Sequence, residues 1–184
     1  DLMRGTEVVY RFPETVEREK SKVRVAWSGQ RIRARNRRLV WDGSLSLDAG
    51  QILGACGYAF DSAAEGIRQV EECRLSWESV TTGDEDGVIL TLDAPEGTVL
   101  RFETPIITCE VSLRELQAGP VAVEADGIDV KVVFEYQPKG VGREVSFSYR
   151  EPDLAAGCHP YWVRVVQVDG AKAWASPIYA TIGR

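Results

Sequence analysis

A single imidazole, His159, is the side chain here whose ordinary pKa lies near neutrality. Nucleophilic triads usually recruit a histidine base, and hydrolytic metal sites usually gather several His, Asp and Glu side chains. His159 stands directly before Pro160, where an extended loop leading into the last strand is expected. It is a candidate base or lone ligand, but a hydrogen-bonded structural histidine is the better expectation. The chain carries no GxGxxG, GxxxxGK, HExxH or GxSxG pattern. Carboxylates for glycoside hydrolysis would meet only in three dimensions, and the sequence singles out no pair. No catalytic residue, metal ligand or cofactor is therefore assigned, and the chain by itself is read as not an enzyme.

Two features suggest binding instead. In RIRARNRRLVW the side chains of Arg31, Arg33, Arg35 and Arg37 fall on one side if the segment is a strand, with Arg38 beside them. Such a row could take phosphate, sulfate or a partner's carboxylates. The competing expectation, favoured in a chain this acidic, is an edge strand guarded by charge and paired with some of the 28 acidic residues. The second feature is the set of five tryptophans. A sugar-stacking platform is one reading of it, but Trp27, Trp41, Trp77 and Trp162 lie within or at the ends of alternating strands, where aromatics fill a core. Trp174, beside the Ser176-Pro177 interruption, is the best candidate for exposure.

The tip TTGDEDG, from Thr81 to Gly87, places Asp84, Glu85 and Asp86 together. It lacks the ligand alternation and distant closing glutamate of a calcium loop, so a solvated hairpin tip is expected. The nearest pair of cysteines, Cys56 and Cys73, is far too widely spaced for a CxxC site, and Cys109 and Cys158 stand further off still. Isolated buried thiols and a cytoplasmic setting are the favoured reading.

A net charge of −6 argues against nucleic acid or an anionic membrane as main partner. No apolar run approaches the roughly 20 residues needed to span a bilayer as a helix. The 184 residues suffice for one large domain, and the start at Asp1 suggests a processed or excised piece.

The elements that would carry these residues read almost wholly as strands. Val8, Tyr10 and Phe12 share one face before Pro13, and Val23, Val25 and Trp27 share another, with the charged ETVEREKSK between them expected as a solvated loop or a single helical turn. Leu45 and Leu47 point inward after Asp42-Gly43. Further strands are expected at Ile67 to Glu72 and at Cys73 to Val80. From Gly87 onward the alternation is clean: Val88, Leu90 and Leu92; Leu100 and Phe102; Val121 and Val123; Val130, Val132, Phe134 and Tyr136; Val145, Phe147 and Tyr149. One helical turn near Leu113 to Gln117 is the only helix expected. Tyr161 to Val166 and the run from Lys172 make a hairpin about Asp169-Gly170, with Pro177 breaking the return. Large apolar residues on both sides of its first strand predict a strand covered on both faces, around which the rest packs. The fold expected is all-β: one antiparallel β-sandwich domain over 1–184, with about a dozen short strands and little or no helix.

The motif YWVRVVQVDGAKAWASPIY, from Tyr161 to Tyr179, resembles the C-terminal signature of a large family of uncharacterised bacterial proteins. Their preceding region is similar to metal-dependent phosphoesterases of the polymerase-and-histidinol-phosphatase (PHP) type. RNRRLVWDGSLSLDAGQI from Arg35 and WESVTTGDEDGVILTLD from Trp77 are similar to segments upstream of that signature. The resemblance implies that the chain is the C-terminal β-rich part of a longer protein, whose N-terminal catalytic-like domain is its partner. The family's metal ligands belong to that preceding domain, so no residue role carries over. Two expectations follow: a non-catalytic accessory or structural domain of such a protein, or a module binding carbohydrate or an anionic group through Trp174, His159 or the Arg31 to Arg37 row.

Overall fold

In a computed structural model, residues 1–15, 17–31, 37–140, 144–167 and 170–183 are described. The strands begin with β1 (Leu2–Arg4), β2 (Glu7–Tyr10), β3 (Arg18–Gln30), β4 (Leu39–Val40), β5 (Gly43–Leu47) and β6 (Gln51–Tyr58). They continue with β7 (Gly66–Val70), β8 (Arg74–Glu78), β9 (Val80–Thr81), β10 (Glu85–Asp93), β11 (Val99–Glu103) and β12 (Thr108–Ser112). After a single 3₁₀ turn at Glu115–Gln117 come β13 (Val121–Glu124), β14 (Ile128–Pro138), β15 (Gly157–Val166), β16 (Lys172–Trp174) and β17 (Ile178–Ile182). The all-β expectation holds, and the one helical turn lies where the sequence placed it. Among the described residues no helix is long and apolar enough to cross a membrane.

Where the sequence suggests one domain over 1–184, contacts divide the chain into two compact units, 18–137 and the two chain ends, 1–17 with 138–184. The central unit is the sandwich. One five-stranded sheet runs β13-β14-β3-β10-β6 and a second runs β12-β11-β5-β8-β7, with the short pair β4-β9 beside them. Their shared core holds Val23, Val25 and Trp27 of β3, Val88 and Leu90 of β10, Leu45 of β5, Trp77 of β8, Phe102 of β11 and Phe134 of β14. The period of two puts each of these side chains on the inner face of its sheet. Three indoles anchor this core, and each finds an acceptor for its N–H. Trp77 Nε1 donates to the Trp41 carbonyl at 2.6 Å, Trp41 Nε1 to Thr81 Oγ1 at 2.9 Å, and Trp27 Nε1 to Ser79 Oγ at 2.8 Å.

The charged stretch expected as a loop or a helical turn is partly strand, because β3 starts at Arg18. Its cations have a reason to be there. Glu135 on β14, almost fully buried, accepts from both Arg18 and Arg24, and Arg24 also lies 4.8 Å above the Tyr58 ring.

The unit of the two chain ends is a sheet ordered β16-β15-β1-β2, with β17 also paired to β15. The hairpin expected at the end of the chain is present, with Arg164 opposite Trp174 and Val166 opposite Lys172, and Pro177 falls between β16 and β17. The turn residue Asp169 lies outside the described residues. Two expectations are corrected here. The first strand of that hairpin is not the organising centre of the chain, since β15 carries only half-buried and exposed side chains and the large core lies in the sandwich. Residues 144–150 do not form a strand, although Phe147 and Tyr149 pack on Tyr10 with ring centroids 5.3 and 5.5 Å away. Aromatic packing, without a ladder partner, accounts for the apolar alternation seen there.

Candidate functional site

The most chemically unusual group in the sandwich is Asp86. Counting back from the inward residues Leu90 and Val88 in steps of two places Asp86 on the same inner face, and its side chain is 0% exposed. Its cross-strand partner on β3 is Trp27. The hydroxyl of Ser79, itself fully buried, joins the two, accepting from the Trp27 indole and donating to Asp86 Oδ2 at 2.6 Å. The other oxygen, Oδ1, is buried without a hydrogen-bond partner.

An unpaired carboxylate oxygen sealed from water disfavours the charged form. Burial is the main reason the Asp86 carboxyl is pushed up to about 7, and the carboxylates of Glu65, Asp84 and Asp61 push in the same direction. The Ser79 hydrogen bond works against them. Glu65 shares the predicament: its Oε2 is buried and unpartnered, and burial together with Asp61 and Asp84 raises its pKa while Arg38 opposes the rise. Asp42 adds to this negative field and also accepts the Ser79 backbone N–H at 3.0 Å. At the tip, Tyr58 donates to Glu85 at 2.9 Å and the Gly83 N–H donates to the Gly29 carbonyl at 3.1 Å.

The acidic tip is thus only partly solvated: Glu85 is exposed and Asp84 half-buried, while Asp86 turns inward. Among the described residues no group of three or more His, Cys, Asp or Glu side chains is placed to hold a metal ion. The arrangement can hold and release a proton.

The sites expected from sequence are scattered. Arg31 and Arg37 belong to no strand, and the Arg31 N–H donates to the Arg37 carbonyl at 3.1 Å. Arg33 and Arg35 lie outside the described residues. His159 sits inside β15 rather than in the loop before it, with Nε2 2.9 Å from the Ala155 carbonyl, a structural hydrogen bond. Trp174 is 61% exposed, as anticipated, whereas Trp162 is half-buried and donates to the Gly5 carbonyl at 2.8 Å. Trp174 is not alone: on the same sheet Ile178 and Tyr179 are 76% and 65% exposed, with Val165 and Val166 also open.

The sandwich also carries an open cleft of about 400 Å³ between Arg18, Lys20 and Tyr136 on one side and Gln117 to Pro120 on the other. Glu135 already neutralises Arg18 there, which leaves Lys20 as the cleft's uncommitted cation among the described residues. Compared with family models, with curated proteins and with solved structures, the chain matches none.

Proposed function

We propose that this chain is a non-catalytic β-rich accessory domain that packs on and stabilises the catalytic-like domain of a longer, PHP-type phosphoesterase-like protein. The observation that supports this reading is the exposure of Trp174 and Tyr179, which their pairing with β15 puts on one face of a thin sheet, while Ile178 is open on the opposite face. Isolated exposed apolar residues are ordinary on soluble proteins, but several on neighbouring strands of one sheet are what a docking domain needs. The choice of partner rests on the resemblance of Tyr161 to Tyr179 to the family's C-terminal signature. The test is to delete this chain from the parent protein, and separately to change Ile178 and Tyr179 to serine within it. Lower thermal stability or activity of the parent in both cases supports the reading, and an unchanged parent in both defeats it.

A second reading, a module for carbohydrate or an anionic group, is favoured by one observation. The Trp174 ring is open to solvent on the strand opposite Arg164, an arrangement suited to stacking against a sugar face. Arg164 is already engaged by the Asp1 carboxylate, so the ring rather than the cation would carry binding. Glycan-array screening of the chain beside Trp174→Ala decides it: binding lost with the ring supports a sugar site, and no binding by the unaltered chain removes it.

A further inference from the structure

Asp86 points to a device that lies beyond either functional reading. Asp86 and Ser79 bracket the β9 to β10 tip, and their side chains meet at 2.6 Å, so one hydrogen bond closes the base of this loop. The segment has further anchors: the Trp41 N–H donates to the Ser79 carbonyl at 2.8 Å, the Trp41 indole to Thr81, the Thr81 hydroxyl and the Gly83 N–H to the Gly29 carbonyl, and β9 pairs with β4. Around the closure the described charges are nearly all of one sign. Asp84 and Glu85 lie on the tip itself, Asp61 and Glu65 on the segment before β7, and Asp42 before β5, with Arg38 as the opposing cation at Glu65. Two of these carboxylates, Asp86 and Glu65, each keep an oxygen that is buried and unpartnered. Such oxygens call for a hydrogen-bond donor, a cation or a proton. Since no three ligating side chains are placed for a metal ion among the described residues, a proton is the simpler counter-charge.

We propose that Asp86 is the proton-operated catch of a local switch: with its carboxyl protonated the segment Ser79–Glu85 is fastened to the end of the sandwich, and loss of that proton lets it open. Neutral Asp86 keeps its bond with Ser79 and places no charge on the buried Oδ1. Ionised Asp86 leaves that charge without solvent or partner and facing Glu65, Asp61 and Asp84. Opening brings water to the carboxylate and separates the like charges. The titration falls near neutrality, at about 7, so ordinary changes of pH operate the catch.

Amide hydrogen exchange of the whole chain, followed by NMR from pH 5 to pH 9 and corrected for the intrinsic pH dependence of exchange, reads the switch. The Trp41 and Gly83 amides report on the tip, and those of Val23 and Leu90 report on the core. The expected result is a tip opening constant that rises by up to about tenfold per pH unit below the Asp86 midpoint and levels off above it, while the core amides change far less. Asp86→Asn should flatten the tip profile, and Glu65→Gln should move its midpoint to lower pH. Should Asp86→Asn fail to fold, the ¹³C shift of the Asp86 carboxyl in the unaltered chain, with the Glu65→Gln profile, decides the matter. A flat tip profile in the unaltered chain, an Asp86 carboxyl titrating near pH 4, or a slope that persists in Asp86→Asn overturns the proposal. So does millimolar calcium closing the tip at pH 8 with tight saturable binding, which would make the acidic cluster a cation site.

Discussion

Trp27 of β3 stacks on Trp77 of β8 with ring centroids 4.6 Å apart and planes inclined by 20°, so the two sheets of the sandwich meet through a pair of indoles. Phe102 of β11 completes the cluster at 5.4 Å from Trp77 and 5.8 Å from Trp27. All three side chains are removed from water. Trp77→Ala should cost about 3–5 kcal/mol, the range for emptying a large aromatic site that cannot collapse. Trp77→Phe keeps much of the stack but leaves the buried Trp41 carbonyl without its donor, so about 1–3 kcal/mol is expected. Urea unfolding of both variants measures the two steps, and equal losses would show that the hydrogen bond rather than the ring dominates.

Asp86 predicts an unusual dependence of global stability on pH. Its folded carboxyl titrates at about 7 and an unfolded aspartate near 4, so between those values the folded chain retains a proton that the unfolded chain has released. The stability from this group is complete below about pH 4, falls by up to about 1.4 kcal/mol per pH unit as the pH rises, and has gone above about pH 7. That direction is opposite to an ion-paired carboxylate, which loses stability as the pH falls. Subtracting the pH profile of Asp86→Asn from that of the unaltered chain isolates the contribution. A difference independent of pH from 4 to 8 would mean that folding leaves the Asp86 carboxyl unshifted.

The inward position of Asp86 is legible in the sequence, and its local composition hides it for a physical reason. The same count of two that places Val88, Leu90 and Leu92 inward reaches Asp86 one step earlier, but the acidic, glycine-containing context reads as a solvated tip. Composition overrode periodicity there, and the structure follows periodicity. The alternation of the Arg31 to Arg37 row is real in sequence, and of its described members Arg31 and Arg37 lie outside β3, which ends at Gln30, and are joined backbone to backbone. Strand patterns in the sandwich read well because both sheets have one dry face. Those of the terminal sheet mislead because its residues are apolar without being deeply buried, so hydrophobicity no longer reports the core.

Close backbone approach makes a separate prediction at Gly43, at the start of β5. A Cβ there would lie 2.3 Å from the Glu103 carbonyl oxygen and 2.7 Å from Thr104 Cγ2, and Ser44 is paired with Glu103 in the ladder. The obstacle is largely backbone, so alanine must push β5 away from β11. Gly43→Ala should lower stability by about 1–3 kcal/mol, as overpacking does. At Gly54 on β6 a Cβ would meet nothing within 4 Å, so Gly54→Ala serves as the comparison and should change stability by less than about 1 kcal/mol. Thermal unfolding of the pair checks this, and equal shifts would discount the contact.

The four cysteines are free thiols, and their reactivity should separate them. Cys56, Cys73 and Cys158 are exposed, whereas Cys109 on β12 is half-buried, and burial pushes its thiol up to about 11. The thiolate is the reacting species, so at pH 8 a thiol of that pKa offers only about one part in a thousand, against roughly a quarter for an ordinary cysteine. Lower access slows it further. Alkylation of the folded chain at pH 8, followed by intact mass, should give three additions quickly and a fourth more slowly by at least about a hundredfold. Adding urea beyond the unfolding midpoint should merge the phases, because the difference belongs to the packing of β12 against the sandwich and not to the thiol itself. A fourth addition as fast as the others in the folded chain would mean that β12 opens freely at the sheet edge. A persistent shortfall in urea without reductant would mean that the exposed thiols had already paired between chains.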